Sequence, residues 1–165
     1  MNLLSIYLND HRAGAVAGVE LAKRTLGNNR GTEYEAFLER LLADIQEDQT
    51  TLERIIERSN LPKSPVKPGL AWASEKVGRL KLNGAITGYS PLSRLVELEA
   101  LRLGIQGKWC LWRSLKEARP EGTAVTDEEL DELIARAEAQ LEVVEEHRLA
   151  AARTALSESQ VGAGS

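Results

Sequence analysis

Several residue types that mark common classes of site are scarce in this sequence. Cys110 is the only cysteine, so the chain cannot form an internal disulfide or a zinc site built from cysteines. Its position between Trp109 and Leu111 favours a buried packing role for the thiol. Histidine occurs only twice. The sequence also lacks a glycine-rich phosphate loop and any Ser-His-Asp or Cys-His pattern suited to nucleophilic catalysis.

Long apolar runs are absent as well. No stretch approaches the ~20 apolar residues that span a bilayer. Residues 1–17 are interrupted by a polar group at residues 9–12 and have no charged leader, so we do not expect a secretory signal. The net charge of −4 argues against nucleic acid and anionic membranes as partners, because phosphate contacts need clustered lysine and arginine. We therefore expect a cytoplasmic protein.

Four long segments show the three-and-four spacing of apolar residues that is typical of helices. The first covers residues 2–26, and its centre is rich in glycine and alanine. Glycine lowers helix propensity by roughly 1 kcal/mol relative to alanine, so we expect either another helix to approach closely there or a bulky neighbour to pack against it. The second segment opens with a capping-box pattern at Thr32 and Glu35 and ends near Asn60.

The third and fourth segments also begin with recognisable start signals. Ser90 and Pro91 suit the N-cap and first turn of the third helix. Thr126 and Glu129 form a capping-box pattern before the fourth. The third helix is apolar around much of its girth, which indicates that a short helix at residues 70–82 or a second subunit covers it.

Connection lengths indicate how the helices are arranged. The first and second helices are joined by a few residues, as are the third and fourth, so each pair should form an antiparallel hairpin. About thirty residues separate the second helix from the third, enough to return along the bundle. The sequence thus predicts an all-α antiparallel four-helix bundle with a long crossover containing a short helix. We expect a single domain over residues 1–156 and a disordered tail at residues 157–165.

Two segments resemble the ferritin-like superfamily, and in particular its small bacterial members of unassigned function. The segment YLNDH at residues 7–11, followed by small residues, is similar to a first helix of that superfamily. The segment ALRLGIQGKW at residues 100–109 is similar to its third helix. The resemblance covers roughly residues 2–155 and implies a bundle with its long crossover between the second and third helices.

The chain departs from the metal-binding pattern of that superfamily. Di-iron members use Glu-x-x-His on two helices and a glutamate on each of the others. Here Leu8 and Val144 stand three residues before His11 and His147, and Gly104 falls near the place of the third-helix glutamate. The resemblance therefore carries over no standard di-iron centre.

Two polar residues interrupt the apolar stripes of helices that should be neighbours, His11 in the first and Asp48 in the second. An ionised aspartate facing a core is costly unless it is paired. One interpretation is a buried network in which the two meet or bond to Tyr7 or Gln49; another is that one or both are exposed. A third is a site for iron, manganese or zinc. The candidate ligands are His11, Asp44, Asp48, Glu99 and His147, with Glu138 as a further possibility.

Two functional hypotheses follow. The first is a non-catalytic bundle without a cofactor that acts by association, as a homodimer or with an unidentified protein partner. The second is a divergent metal-dependent oxidase or metal-storage protein with its site near His11 and Asp48. Trp109 and Trp112, one turn apart, would suit a ligand cleft, although their spacing favours core or interface packing.

Overall fold

The computed structural model describes residues 2–64 and 88–157, and over these ranges helices are joined by turns and irregular segments, with no strand. This confirms the predicted all-α class. The helix predicted at residues 70–82 lies outside the described residues, and so does the tail predicted at residues 157–165 except for Ser157, which ends the last helix. No helix within the described ranges is both long and apolar enough to cross a membrane. The helices are α1 (Leu3–Asn28), α2 (Glu35–Arg58), α3 (Pro91–Ala118) and α4 (Asp127–Ser157).

Two of the predicted helix starts are confirmed. The Thr126 amide donates to Glu129 Oε2 at 2.9 Å, and the Glu129 amide donates to Thr126 Oγ1 at 3.1 Å. This reciprocal pair caps α4. At the start of α3, Ser90 Oγ accepts from the Ser93 amide at 3.1 Å. Both starts are fixed by side chains that satisfy amides left free at a helix N-terminus.

The capping box predicted at Thr32 and Glu35 is wrong. Thr32 Oγ1 donates to the Asn29 carbonyl at 2.7 Å and accepts from the Tyr34 amide at 3.2 Å, which closes a turn before the helix. Glu35 Oε2 accepts instead from the Gly31 amide at 2.8 Å. The helix α2 therefore begins at Glu35, because the threonine serves the connecting turn.

Apolar side chains form two core clusters. In both α2 and α3, a polar residue separates the two clusters: Asp48 in α2 and Lys108 in α3. The buried apolar residues before it belong to one cluster, and those after it belong to the other. In α1, the buried Leu8 belongs to one cluster and Val19 to the other. Asp48 and Lys108 therefore lie in a polar layer between the two apolar clusters.

Hydrogen bonds and ion pairs tie one end of the structure together. Asn9 Nδ2 donates to the Pro62 carbonyl at 2.9 Å, and Asn9 Oδ1 accepts from the Ser64 amide at 2.8 Å. These contacts hold the start of α1 against the segment that follows α2. Arg58 pairs with Glu129 at 3.0 Å, so the end of α2 lies beside the start of α4.

At the other end, Asn29 joins the end of α1 to the start of α3. Its side chain is 0% exposed. Its Nδ2 donates to the Thr25 carbonyl and to the Tyr89 hydroxyl, both at 2.7 Å, and its Oδ1 accepts from Arg94 Nε at 2.6 Å. The buried side-chain amide of Asn29 thus completes hydrogen bonds with polar groups of both α1 and α3.

We expect Asn29→Ala to lower the free energy of unfolding by about 2 kcal/mol, because it leaves buried polar groups without partners. The matched control is Asn28→Ala, since Asn28 is exposed and its hydrogen bond to Glu97 is long, at 3.5 Å, so the change should cost under about 0.5 kcal/mol. Urea denaturation measures both. Equal losses in the two variants would contradict the role of Asn29.

Candidate binding site between the helices

A buried ion cluster joins α2, α3 and α4. Asp48 is 4% exposed, and both of its carboxylate oxygens are in use. Its Oδ2 accepts from Lys108 Nζ and, at 3.0 Å, from Gln140 Nε2, and its Oδ1 pairs with Arg136 Nη2 at 2.5 Å. Lys108 Nζ also donates to Gln140 Oε1 at 2.5 Å. The cost of burying Asp48 is offset by two cations and an amide.

Among the less exposed charges of this cluster, two are positive and one is negative: the side chains of Lys108, Arg136 and Asp48 are 16%, 28% and 4% exposed. Lys108 and Arg136 share the single carboxylate of Asp48. Arg136 also pairs with Glu47 at 2.9 Å, but the Glu47 side chain is 61% exposed, so water screens its charge. Burial lowers the pKa of Lys108, and the neighbouring Asp48 carboxylate opposes this effect.

A cavity of about 560 Å³ lies beside the cluster, with its walls formed by α1, α2 and α3. Much of the lining is apolar or consists of small residues. Within residues 2–64 and 88–157, a Cβ atom added at any of the lining glycines would meet no neighbouring atom within 4 Å. No described helix therefore makes the close approach at these glycines that the small residues of α1 led us to expect. The glycines are Gly14, Gly18, Gly104 and Gly107.

His11 is one of the few polar residues that line the cavity. Its ring meets the ring of Tyr7 edge-on, with the centroids 4.7 Å apart. Burial lowers the pKa of His11 below 6.5, and the nearby Asp10 only partly opposes this effect. The imidazole is therefore neutral at pH 7, with one nitrogen able to donate a hydrogen bond and the other able to accept one.

The structure brings together only some of the residues predicted as metal ligands. His11 and Asp48 line the same cavity. Asp44 lies close enough to Lys108 to affect its pKa. Asp48 is held by cations and an amide, not by the predicted partners Tyr7 or Gln49. Cationic side chains thus contact the carboxylate where a metal ion would have to bind.

The remaining candidates have other contacts. Glu99 pairs with Arg148 at 3.7 Å. The His147 ring stacks on Phe37, with the centroids 3.8 Å apart and the planes at 9°. Glu138 accepts a hydrogen bond from a tryptophan indole at 3.0 Å. Across residues 2–64 and 88–157, no group of three or more His, Cys, Asp or Glu side chains is placed to hold a metal ion.

Sequence reasoning missed Lys108, Arg136 and Gln140. A signal for Lys108 was present, because Ile105, Lys108 and Trp112 follow one another at steps of three and four along one face of α3. A lysine at such a position directs its amine toward the core, just as Asp48 directs its carboxylate there from α2. Opposite charges in two neighbouring apolar stripes indicate a buried ion pair.

The expectation for Cys110 is wrong, because this residue is exposed. The apolar residues beside it point elsewhere: Leu111 is buried, and Trp109 is half-buried, with its Nε1 donating to Glu138. Adjacent positions on a helix point in different directions, so apolar sequence neighbours do not bury a residue.

Comparisons with known proteins assign no family to this chain. No protein-family model, no curated protein and no solved structure matches it. Its function is therefore inferred from the cavity and the buried ion cluster.

We expect Asp48→Asn to lower the free energy of unfolding by about 3 kcal/mol, because it leaves the largely buried Lys108 ammonium without its counter-charge and Arg136 with only the exposed Glu47. Glu47→Gln is the matched control, with an expected loss below about 1 kcal/mol because Glu47 is exposed. Urea denaturation at neutral pH separates the two. A loss in Asp48→Asn no larger than in the control would show that the ion cluster does not stabilise the fold.

The pKa of His11 should lie below 6.5 in the folded protein. Because its folded pKa lies below its unfolded pKa, the stability it contributes is complete above pH 6.5 and is lost as pH falls toward the folded value. The stability of wild type relative to His11→Gln should therefore fall between pH 7 and pH 5. A proton NMR titration measures the pKa directly, and His147→Gln assigns the two resonances. A midpoint at or above 6.5 would refute the predicted burial effect.

Proposed function

We propose that this protein is a non-catalytic helical bundle whose function is binding, and that it holds a largely apolar guest molecule in the cavity between α1, α2 and α3. The cavity itself carries the proposal. Its volume of about 560 Å³ lies within the range of small-molecule sites, roughly 300–1,000 Å³, which are also mostly apolar with a few polar groups. The buried Asp48 is held by two cations, which makes it a poor general base.

The proposed architecture is an antiparallel, ferritin-like bundle with a crossover between α2 and α3. The contacts of Asn9 with residues 62–64 support opposite directions for α1 and α2, and those of Asn29 support opposite directions for α1 and α3. On this arrangement α2 and α3 run the same way, so the chain between them has to return along the bundle. This agrees with the resemblance in the sequence.

Self-association as a homodimer is a second candidate, favoured by an exposed apolar face of α3. Leu92 and Leu103 are about 40% exposed, and their spacing places them on one face together with the exposed Cys110. A dimer through this face predicts that Leu103→Glu yields monomers in sedimentation experiments. It also predicts that a short maleimide cross-linker joins two copies through Cys110.

Metal binding is the weaker alternative. A metal site needs at least three ligands, each within about 2.0–2.3 Å of one point for zinc. Only His11 and Asp48 of the five candidates line the cavity. Mass spectrometry of protein purified without chelator tests this alternative. Stoichiometric metal that is lost in both His11→Ala and Asp48→Ala would establish it.

Filling the cavity should abolish guest binding without weakening the fold. Gly18→Leu adds a side chain at the cavity, at a position where no described residue would lie within 4 Å of an added Cβ, and it replaces a helical glycine. We expect stability to be unchanged or raised by up to about 1 kcal/mol. The affinity for an uncharged N-phenylnaphthylamine probe, followed by fluorescence, should fall at least about tenfold, equivalent to about 1.4 kcal/mol.

The matched control is Gly27→Leu on the same helix. Gly27 also has open space around it but does not line the cavity, so this variant should bind the probe like wild type. Absence of probe binding by wild type, or equal binding by Gly18→Leu and Gly27→Leu, would contradict the proposed function.

A further inference from the structure

Two side chains that line the cavity have donor N–H groups that the described residues leave unused: one N–H of the Lys108 ammonium and the indole N–H of Trp112. The ammonium of Lys108 has three N–H groups, and Asp48 and Gln140 each accept one. Trp112 is 1% exposed, and its Nε1 has no hydrogen-bond partner. A buried donor without an acceptor costs roughly 1–3 kcal/mol, so native proteins rarely leave one unsatisfied.

The two donors belong to the same wall of the cavity. Lys108 and Trp112 lie four residues apart on α3, which places them on one face of that helix. Both residues line the cavity. An acceptor bound at this wall could bond to both donors, and the neutral His11 on α1 lines the same space.

The charge near this wall favours an anionic acceptor. Lys108 and Arg136 share the one buried carboxylate of Asp48. Asp10, on the cavity lining, is exposed, and Asp44 is half-exposed, so water screens both carboxylates. An anion bound beside Lys108 would compensate the positive charge that Asp48 leaves unbalanced. It would do so away from bulk water, where charges are screened least.

We propose that the guest is a long-chain monocarboxylic acid whose carboxylate accepts hydrogen bonds from Lys108 Nζ and Trp112 Nε1, with its alkyl chain against the apolar walls. A carboxylate has two oxygens and can accept from both donors at once. The alkyl chain matches a lining that is mostly apolar and glycine. This inference rests on the proposed function and specifies the chemical class of the guest.

The first test compares dodecanoate with dodecanol, both as monomers in solution, by displacement of the uncharged probe. Wild type should bind the acid at least about tenfold more tightly than the alcohol, because hydrogen bonds to a charged group are typically worth about 1.5–3 kcal/mol. In Lys108→Met this preference should disappear, while the probe still binds. Asp48 keeps Arg136 and Gln140 as partners in that variant, so the fold should survive.

The second test uses tryptophan variants. Trp112→Phe removes the unpartnered donor and should weaken dodecanoate binding about tenfold. Trp109→Phe is the matched control, because the indole of Trp109 donates to Glu138 and Trp109 does not line the cavity. In NMR spectra, the indole N–H resonance that disappears in Trp112→Phe should move downfield when dodecanoate is added to wild type.

The outcomes separate the two proposals. Equal affinities for acid and alcohol in wild type, or an unmoved Trp112 indole resonance, would overturn the carboxylate inference while probe binding still supported the cavity. Failure of the probe, the acid and the alcohol to bind would overturn both. Loss of acid binding in Trp109→Phe to the same extent as in Trp112→Phe would also overturn the assigned contact.

Discussion

The ionised side chain of Asp48 has to be compensated where it is buried, and much of the structure follows from this. A carboxylate that is 4% exposed needs cations or donors around both oxygens. Lys108 from α3 and Arg136 and Gln140 from α4 supply them. Three helices are thereby held at one relative position along their lengths, because a shift of one turn would separate the charges. The ion cluster thus specifies helix register as well as contributing stability.

The same constraint accounts for the position of the cavity. The ion cluster lies in the polar layer between the two apolar clusters, and α1 contributes no charge to it. On that side α1 presents His11 and small residues, among them Gly14 and Gly18, so the described residues leave space there. The result is a mostly apolar space whose α3 wall carries Lys108. This composition is the basis of the proposed guest binding.

Apolar periodicity was sufficient to predict the four helices. The N-cap Ser90 with Pro91 predicted the start of α3, and the capping box at Thr126 and Glu129 predicted that of α4. The same pattern at Thr32 and Glu35 gave a wrong prediction, because that threonine closes a turn. Asp48 could be recognised as a buried charge because it interrupts an apolar stripe. Its partners could not be chosen from the sequence, since lysine and arginine reach a buried carboxylate from positions that also suit a solvated face. The cavity was missed for a different reason. Small residues permit close helix approach, but the spacing between helices is set by larger side chains elsewhere, so Gly14 and Gly18 border a space instead of a contact.

The central claim, an apolar cavity held beside a buried ion cluster, is tested most directly by a crystal structure of the protein under xenon pressure. Xenon enters apolar cavities without needing hydrogen bonds. The account predicts xenon between α1 and α3, beside Gly18 and Gly107, with Asp48 still paired to Lys108 and Arg136. A structure in which α1 and α3 close over this space, with no xenon there and Asp48 exposed to solvent, would contradict it.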